Sequence, residues 1–126
     1  MKVAHIDLSD RSVEYFELDA TALKLFGGGR GLGVALLRRS MFDGEPLEPR
    51  SPLVFSVGLL VGKPFPLSNR LSMVFRSPLT KTVAWAQTGG YAGSALAGTG
   101  YAALYITGRS EKLSYLVVSE NGIKVV

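Results

Sequence analysis

A chain of 126 residues, 47% hydrophobic and without cysteine, is long enough to bury one core and excludes disulfides, thiolate metal sites and cysteine nucleophiles. Its formal net charge is +4 and it has a single histidine, His5, which leaves no histidine cluster for a metal and no Ser-His-Asp array. No apolar run approaches the length that crosses a bilayer, and Asp7 and Asp10 stand where a signal peptide would be apolar, so a cytoplasmic protein is expected.

Residues 2–8 alternate, with Ala4, Ile6 and Leu8 opposite Val3, His5 and Asp7. Ser9-Asp10-Arg11-Ser12 turns them into a second strand over 13–17, and the pair reads as a hairpin. Asp19 is the expected N-cap of a short helix through Phe26, which Gly27, Gly28 and Gly29 stop. A second helix is predicted to begin near Arg30 or Gly31 and carries Leu32, Val34, Ala35, Leu36, Leu37, Met41 and Phe42. It is apolar round most of its girth and should be buried, with Arg38 and Arg39 near the end where the macrodipole favours cations. The glycine run fails the G-x-G-x-x-G spacing and follows a helix rather than a strand, which excludes a dinucleotide fingerprint. With Arg30 beside it, the run fits either an anion site at a helix start or a plain helix-helix corner.

A polar connection over 43–52 leads to a buried strand over 53–57, then to the stiff loop Lys63-Pro64-Phe65-Pro66. Residues 68–93 are the most informative stretch. Leu71, Met73 and Phe75 alternate with Arg70, Ser72, Val74 and Arg76, so one strand face is apolar and the other carries both arginines. At about 3.3 Å per residue these cations stand roughly 20 Å apart, a spacing suited to two groups of one long anion. Ser77-Pro78-Leu79-Thr80 turns the chain into a return strand over 83–87. Gly89 and Gly90 follow, then small residues that can open a helix; adjacent glycines let backbone N–H groups approach a phosphate closely. They can equally be turn glycines. Trp85 and Tyr91 could stack on a flat heterocycle, although a tryptophan in a strand is more often core.

Gly98 to Ala103 matches G-x-G-x-x-A literally but precedes a strand, over 103–107, instead of following one. Residues 113–119 and 123–126 close the chain as a hairpin around Glu120-Asn121-Gly122, and an end in mid-strand suggests an incomplete domain. Between Pro49 and Arg109 there is no Asp or Glu, while Arg50, Lys63, Arg70, Arg76, Lys81 and Arg109 are all present. Such a segment is either buried sheet, where all charges are scarce, or a seat for an anion. It offers no paired carboxylates for acid/base catalysis.

In chain order, GGGRGLGVALL, LVFSVGLLVG, Asn69-Arg70 leading into SMVFRSPLT, AWAQTGGYAG, LAGTGYAALYITGRSEK and LSYLVVSENGI form a series that resembles the N-terminal domain of the tungsten-dependent aldehyde:ferredoxin oxidoreductases. The resemblance covers nearly the whole chain. It implies an α+β, β-rich fold of antiparallel or mixed sheets with two or three short helices. In the family this is part of a base of two β-sheets related by an approximate two-fold, on which tungsten lies between two pyranopterins of the molybdopterin type. Pterin dithiolenes hold that metal, so a chain without Cys or His clusters can still take part. By correspondence, Arg70, Gly89 and Gly90 would lie at pterin phosphate, Asn69 belongs with them to the cofactor-binding set, and Arg30 matches the family's glycine-arginine-glycine block. Gln87 stands where the family usually has Asn; its backbone carbonyl would face a magnesium bridging the two pterin phosphates.

The resemblance assigns no catalytic residue to this chain. Family enzymes are several times longer, and the second pterin motif, the iron-sulfur cysteines and the acid/base residues lie in their later part. Residues 1–126 are therefore expected to form a single, incomplete pterin-binding base domain, not catalytic alone. Its partner would be the remainder of the oxidoreductase, as further domains or a separate subunit, with ferredoxin reached indirectly and no membrane contact. A piece of a longer enzyme, a split subunit and a stand-alone relative all fit; in the last case two copies would rebuild the base as a homodimer. The competing reading is a non-catalytic basic β-rich module for nucleic acid or nucleotide. Against it, the aromatics interleave with core positions and no ribonucleoprotein-type motif occurs.

Overall fold

The computed structural model describes residues 1–40 and 42–126. Its elements are β1 (Lys2–Asp7), β2 (Ser12–Glu17), α1 (Ala20–Phe26), α2 (Gly29–Arg39), β3 (Leu53–Val57), β4 (Leu71–Arg76), β5 (Val83–Thr88), α3 (Ala92–Gly98), β6 (Tyr101–Thr107), β7 (Leu116–Ser119) and β8 (Gly122–Val125). Six strands make one sheet in the order β2-β1-β6-β3-β4-β5, and β7 and β8 form a separate ribbon. The β1·β6 pair is parallel and the other pairs are antiparallel, so the sheet is mixed. This is the α+β, β-rich class that the sequence implies.

The inner strands are apolar on both faces because both faces are covered. On one side Leu32, Leu36 and Leu37 of α2 pack on Val3, Val54, Val74 and Ala103. On the other, Leu96 of α3 and Ile123 of the ribbon pack with Ala4, Ile6, Val57, Leu71 and Leu104. The two edges differ. β2 carries Glu14 and Glu17, charges that discourage edge-to-edge pairing, whereas β5 has no charged residue and is exposed at every position except Ala84.

Local chemistry sets the helix ends. Asp19 caps α1 by accepting from the Thr21 N–H at 3.3 Å, and Gly27, at φ +65°, ends it with its N–H on the Leu23 carbonyl. The second helix begins at Gly29, a residue earlier than its sequence suggests, and buries one side while Arg30, Arg38 and Arg39 face solvent. Met41, expected on this helix, lies outside the described residues. His5 bridges β1 and β6, its Nε2 on Thr107 Oγ1 at 2.9 Å.

Four expectations need correction. The strand expected over 113–119 begins only at Leu116, because the preceding turn is closed by the Ser110 and Ser114 hydroxyls at 2.8 Å. The strand expected over 103–107 begins at Tyr101, where β6 meets Lys2 of β1. Trp85 is not core: it sits on the edge strand and is 52% exposed. Finally, Arg70 and Arg76 do not line one open anionic track. The β4 face they were expected to share is roofed by α2, with Val74 fully buried, and the Arg76 guanidinium instead donates to the carbonyls of Lys81 (3.0 Å) and Gly44 (2.7 Å).

Candidate functional site

Register alone brings the central candidates together. Leu71 pairs with Thr88 at the end of the β4·β5 ladder, so the residues next beyond it are Arg70 on one strand and Gly89 on the other. The start of α3 closes over this end: a Cβ on Gly93 would lie 2.7 Å from the Asn69 carbonyl oxygen and 3.2 Å from the Arg70 carbonyl carbon, a contact only glycine allows. Ser94 Oγ donates to Asn69 Oδ1 at 2.8 Å, which commits that amide oxygen to α3. Gly90, at φ +84°, adopts a conformation other residues resist, and the space a Cβ would fill at Gly89 and Gly90 is open. Backbone there can be approached without a side chain intervening.

A second group stands on the α2 face of the same strands. Ser56 and Ser72, paired in register on β3 and β4, are buried hydroxyls in otherwise apolar strands. Ser56 Oγ donates to the Gly29 carbonyl at 2.6 Å, seating the first turn of α2, and Ser72 Oγ accepts from Gln87 Nε2 at 3.1 Å. Arg30, in that first turn, lays its guanidinium over the Trp85 ring at 4.6 Å from the centroid, a favourable cation–π geometry. The N-cap of α2 is Gly28, with no side-chain cap and no acidic residue in the first turn, so its first N–H groups keep their donor capacity. Residues 20–42 and 49–110 contain no Asp or Glu. The segments that supply these donors therefore carry no carboxylate of their own.

Of the six residues singled out from sequence, Asn69, Arg70, Gly89 and Gly90 converge at one end of the β4·β5 pair. Gln87 is on β5 just before them, and Arg30 joins through Trp85. The sequence reading missed the two serines and the exposed role of Trp85. The signal for the serines was present, as single polar residues inside buried strands. Replacing Ser56 with Ala should lower stability by about 1–2 kcal/mol, because the Gly29 carbonyl loses a buried partner; urea unfolding midpoints measure it.

The α3 N-terminus contributes less than its sequence suggested. With seven residues and Tyr91 at its N-cap in helical geometry, it builds little macrodipole. Among the described residues no group of three or more His, Cys, Asp or Glu is placed to hold a metal ion, and no helix is long and apolar enough to cross a membrane.

These features define an α+β domain with a donor-rich end built from segments without Asp or Glu. A family model described as the aldehyde ferredoxin oxidoreductase N-terminal domain matches residues 3–126, and the chain belongs to that family. It is 33% identical over 121 residues to the tungsten-containing aldehyde ferredoxin oxidoreductase of Pyrococcus furiosus, covering 95% of this chain and 20% of that one. The Pyrococcus horikoshii protein of the same name is 28% identical over 125 residues, 98% of this chain and 21% of that one. The solved active site complex BamBC of benzoyl coenzyme A reductase, in complex with 1,5-dienoyl-CoA, superposes with a TM-score of 0.93 at 30% identity, over 98% of this chain and 19% of that one. The chain thus spans about a fifth of the length of the curated relatives it matches.

Proposed function

We propose that this chain is the cofactor-cradling part of a tungsten or molybdenum pterin oxidoreductase that converts aldehydes to carboxylic acids with ferredoxin as electron acceptor. The observation that carries the reading is the β4·β5 register, which sets Arg70 beside the Gly89-Gly90 backbone. The residues fit a phosphate-bearing group: guanidinium and backbone N–H donors, an open approach at two glycines and no carboxylate in the segments that supply them. Arg70 and the glycine backbone would hold the pterin phosphate, with Arg30 and the first turn of α2 as a second set of donors. The Gln87 carbonyl would face magnesium, while its side chain remains on Ser72. When bound, the metal-pterin group supplies the redox chemistry; this chain binds and orients it. The rest of the oxidoreductase, as further domains or a separate subunit, would complete the enzyme.

The test is direct. Protein purified natively from cells supplied with tungstate or molybdate, together with any co-purifying subunit, should carry metal and phosphorylated pterin in constant ratio. Preparations free of both, in a folded and otherwise complete assembly, would refute the reading.

A further inference from the structure

A cleft of ≈ 270 Å³ lies at the end of β4 away from Arg70, between α2, the connection over 42–52 and the β4–β5 turn. Val34, Leu37, Phe42 and Val83 form its apolar walls, and its three charged lining residues are Arg38, Arg76 and Lys81. We infer that this cleft binds a small carboxylate with an apolar body, the anion at the guanidinium groups and the hydrocarbon against the walls.

Three observations support this. First, the charge is unbalanced. Arg76 is held by two neutral carbonyls, those of Lys81 and Gly44, which fix its orientation without cancelling its charge. Lys81 pairs with Glu45, and Arg38 makes no hydrogen bond or ion pair among the described residues. Three cations therefore share one carboxylate, Glu45, which pairs with Lys81 and also feels the Arg76 charge. Of the other acids on the connection, Asp43 is exposed and Glu48 stands 3.8 Å from Arg50 while accepting from the Glu45 N–H.

Second, the competing negative field is small. The C-terminal carbonyls of α2 lie nearby, but Ser40 Oγ donates to the Leu37 carbonyl at 2.6 Å, and Arg38 and Arg39 sit in the last turn. A planar guanidinium clamped by backbone is preorganised for the two oxygens of a carboxylate.

Third, size and polarity select the ligand. The cleft is smaller than the ~300–1,000 Å³ typical of sites for drug-sized molecules, and its walls are mainly apolar. Inorganic phosphate or acetate would leave the walls wet, and a plain alcohol would leave the cations unused. Arg76, which lines the cleft, lies six residues along the chain from Arg70, roughly 20 Å, so the inference does not rest on the proposed cofactor role.

The test titrates the isotopically labelled 126-residue chain with hexanoate, and separately with hexanol and acetate, following the backbone amides of Arg38, Thr82 and Val83. Hexanoate should give saturable shifts with half-saturation on the order of 1 mM or tighter, with each half-molecule weaker by roughly tenfold. Arg38→Gln, a change at an exposed side chain, should weaken hexanoate by roughly tenfold. Val83→Trp fills the cleft without removing a cation and should abolish the shifts. Equal response to hexanol would reduce the cleft to a greasy crevice, and equal response to acetate to surface anion binding. Either result overturns the inference, as does unchanged binding in Val83→Trp or shifts confined to the Arg70 end.

Discussion

Gly28→Ala is expected to lower stability by about 3 kcal/mol, near the upper end of what overpacking costs. A Cβ at this position would lie 2.6 Å from the Val57 carbonyl oxygen, 2.7 Å from the Leu59 nitrogen and 2.8 Å from the Gly58 Cα. All three are backbone atoms, so no side chain can swing aside; the start of α2 must lift from the end of β3. That motion stretches the Ser56 to Gly29 hydrogen bond and carries Arg30 away from Trp85. The unfolding midpoint in urea should therefore fall at unchanged slope, and Trp85 emission should shift in the folded protein. Gly27→Ala is the control. It meets nothing within 4 Å, but its φ +65° with ψ −147° is a region that side chains avoid, so it bears backbone strain alone, about 1–3 kcal/mol. A Gly28 variant with an unchanged midpoint and unchanged Trp85 emission would mean that α2 is not seated on β3.

That contrast also shows which parts of the molecule could be read from sequence. Neighbouring glycines look alike on the page, yet Gly27 ends a helix and Gly28 permits backbone contact with a strand that begins 25 positions later. Only tertiary packing separates them. Local rules sufficed where the determinants are local: Asp19 as a cap, Ser9-Asp10-Arg11 as a turn, and the alternation that defines the two faces of β4. Alternation does not say which face is covered, and here both are. Arg76 therefore became a clamp on the 42–52 connection instead of one end of an anion track, and Trp85, an aromatic in a strand, is half exposed because its strand is an edge.

The site was legible for a different reason. Asn69-Arg70 and Gly89-Gly90 flank two strands joined by a short turn, so antiparallel pairing had to bring them to one end. Arg30 could not be placed by such logic. Its position depends on α2 crossing the sheet and on one buried serine, Ser56, that anchors its first turn.

Arg70→Ala should give the largest functional effect, and its comparison with Arg76→Ala separates binding from folding. Arg70 is exposed and makes no hydrogen bond or ion pair among the described residues, so its removal should change stability by no more than about 0.5 kcal/mol. If it holds a cofactor phosphate, the lost charge-assisted hydrogen bonds are worth roughly 1.5–3 kcal/mol, which is about 10- to 100-fold in affinity. The assembled enzyme should then emerge with tungsten and pterin depleted together, and Arg70→Lys should restore them only in part, since an ammonium cannot reproduce the planar fork. Arg76→Ala should behave in the opposite way. It removes donors from the Lys81 and Gly44 carbonyls and should cost about 1–3 kcal/mol of stability while leaving cofactor content per folded molecule unchanged. Full metal and pterin content in the Arg70→Ala enzyme would refute the assignment, because that side chain makes no other hydrogen bond or ion pair among the described residues.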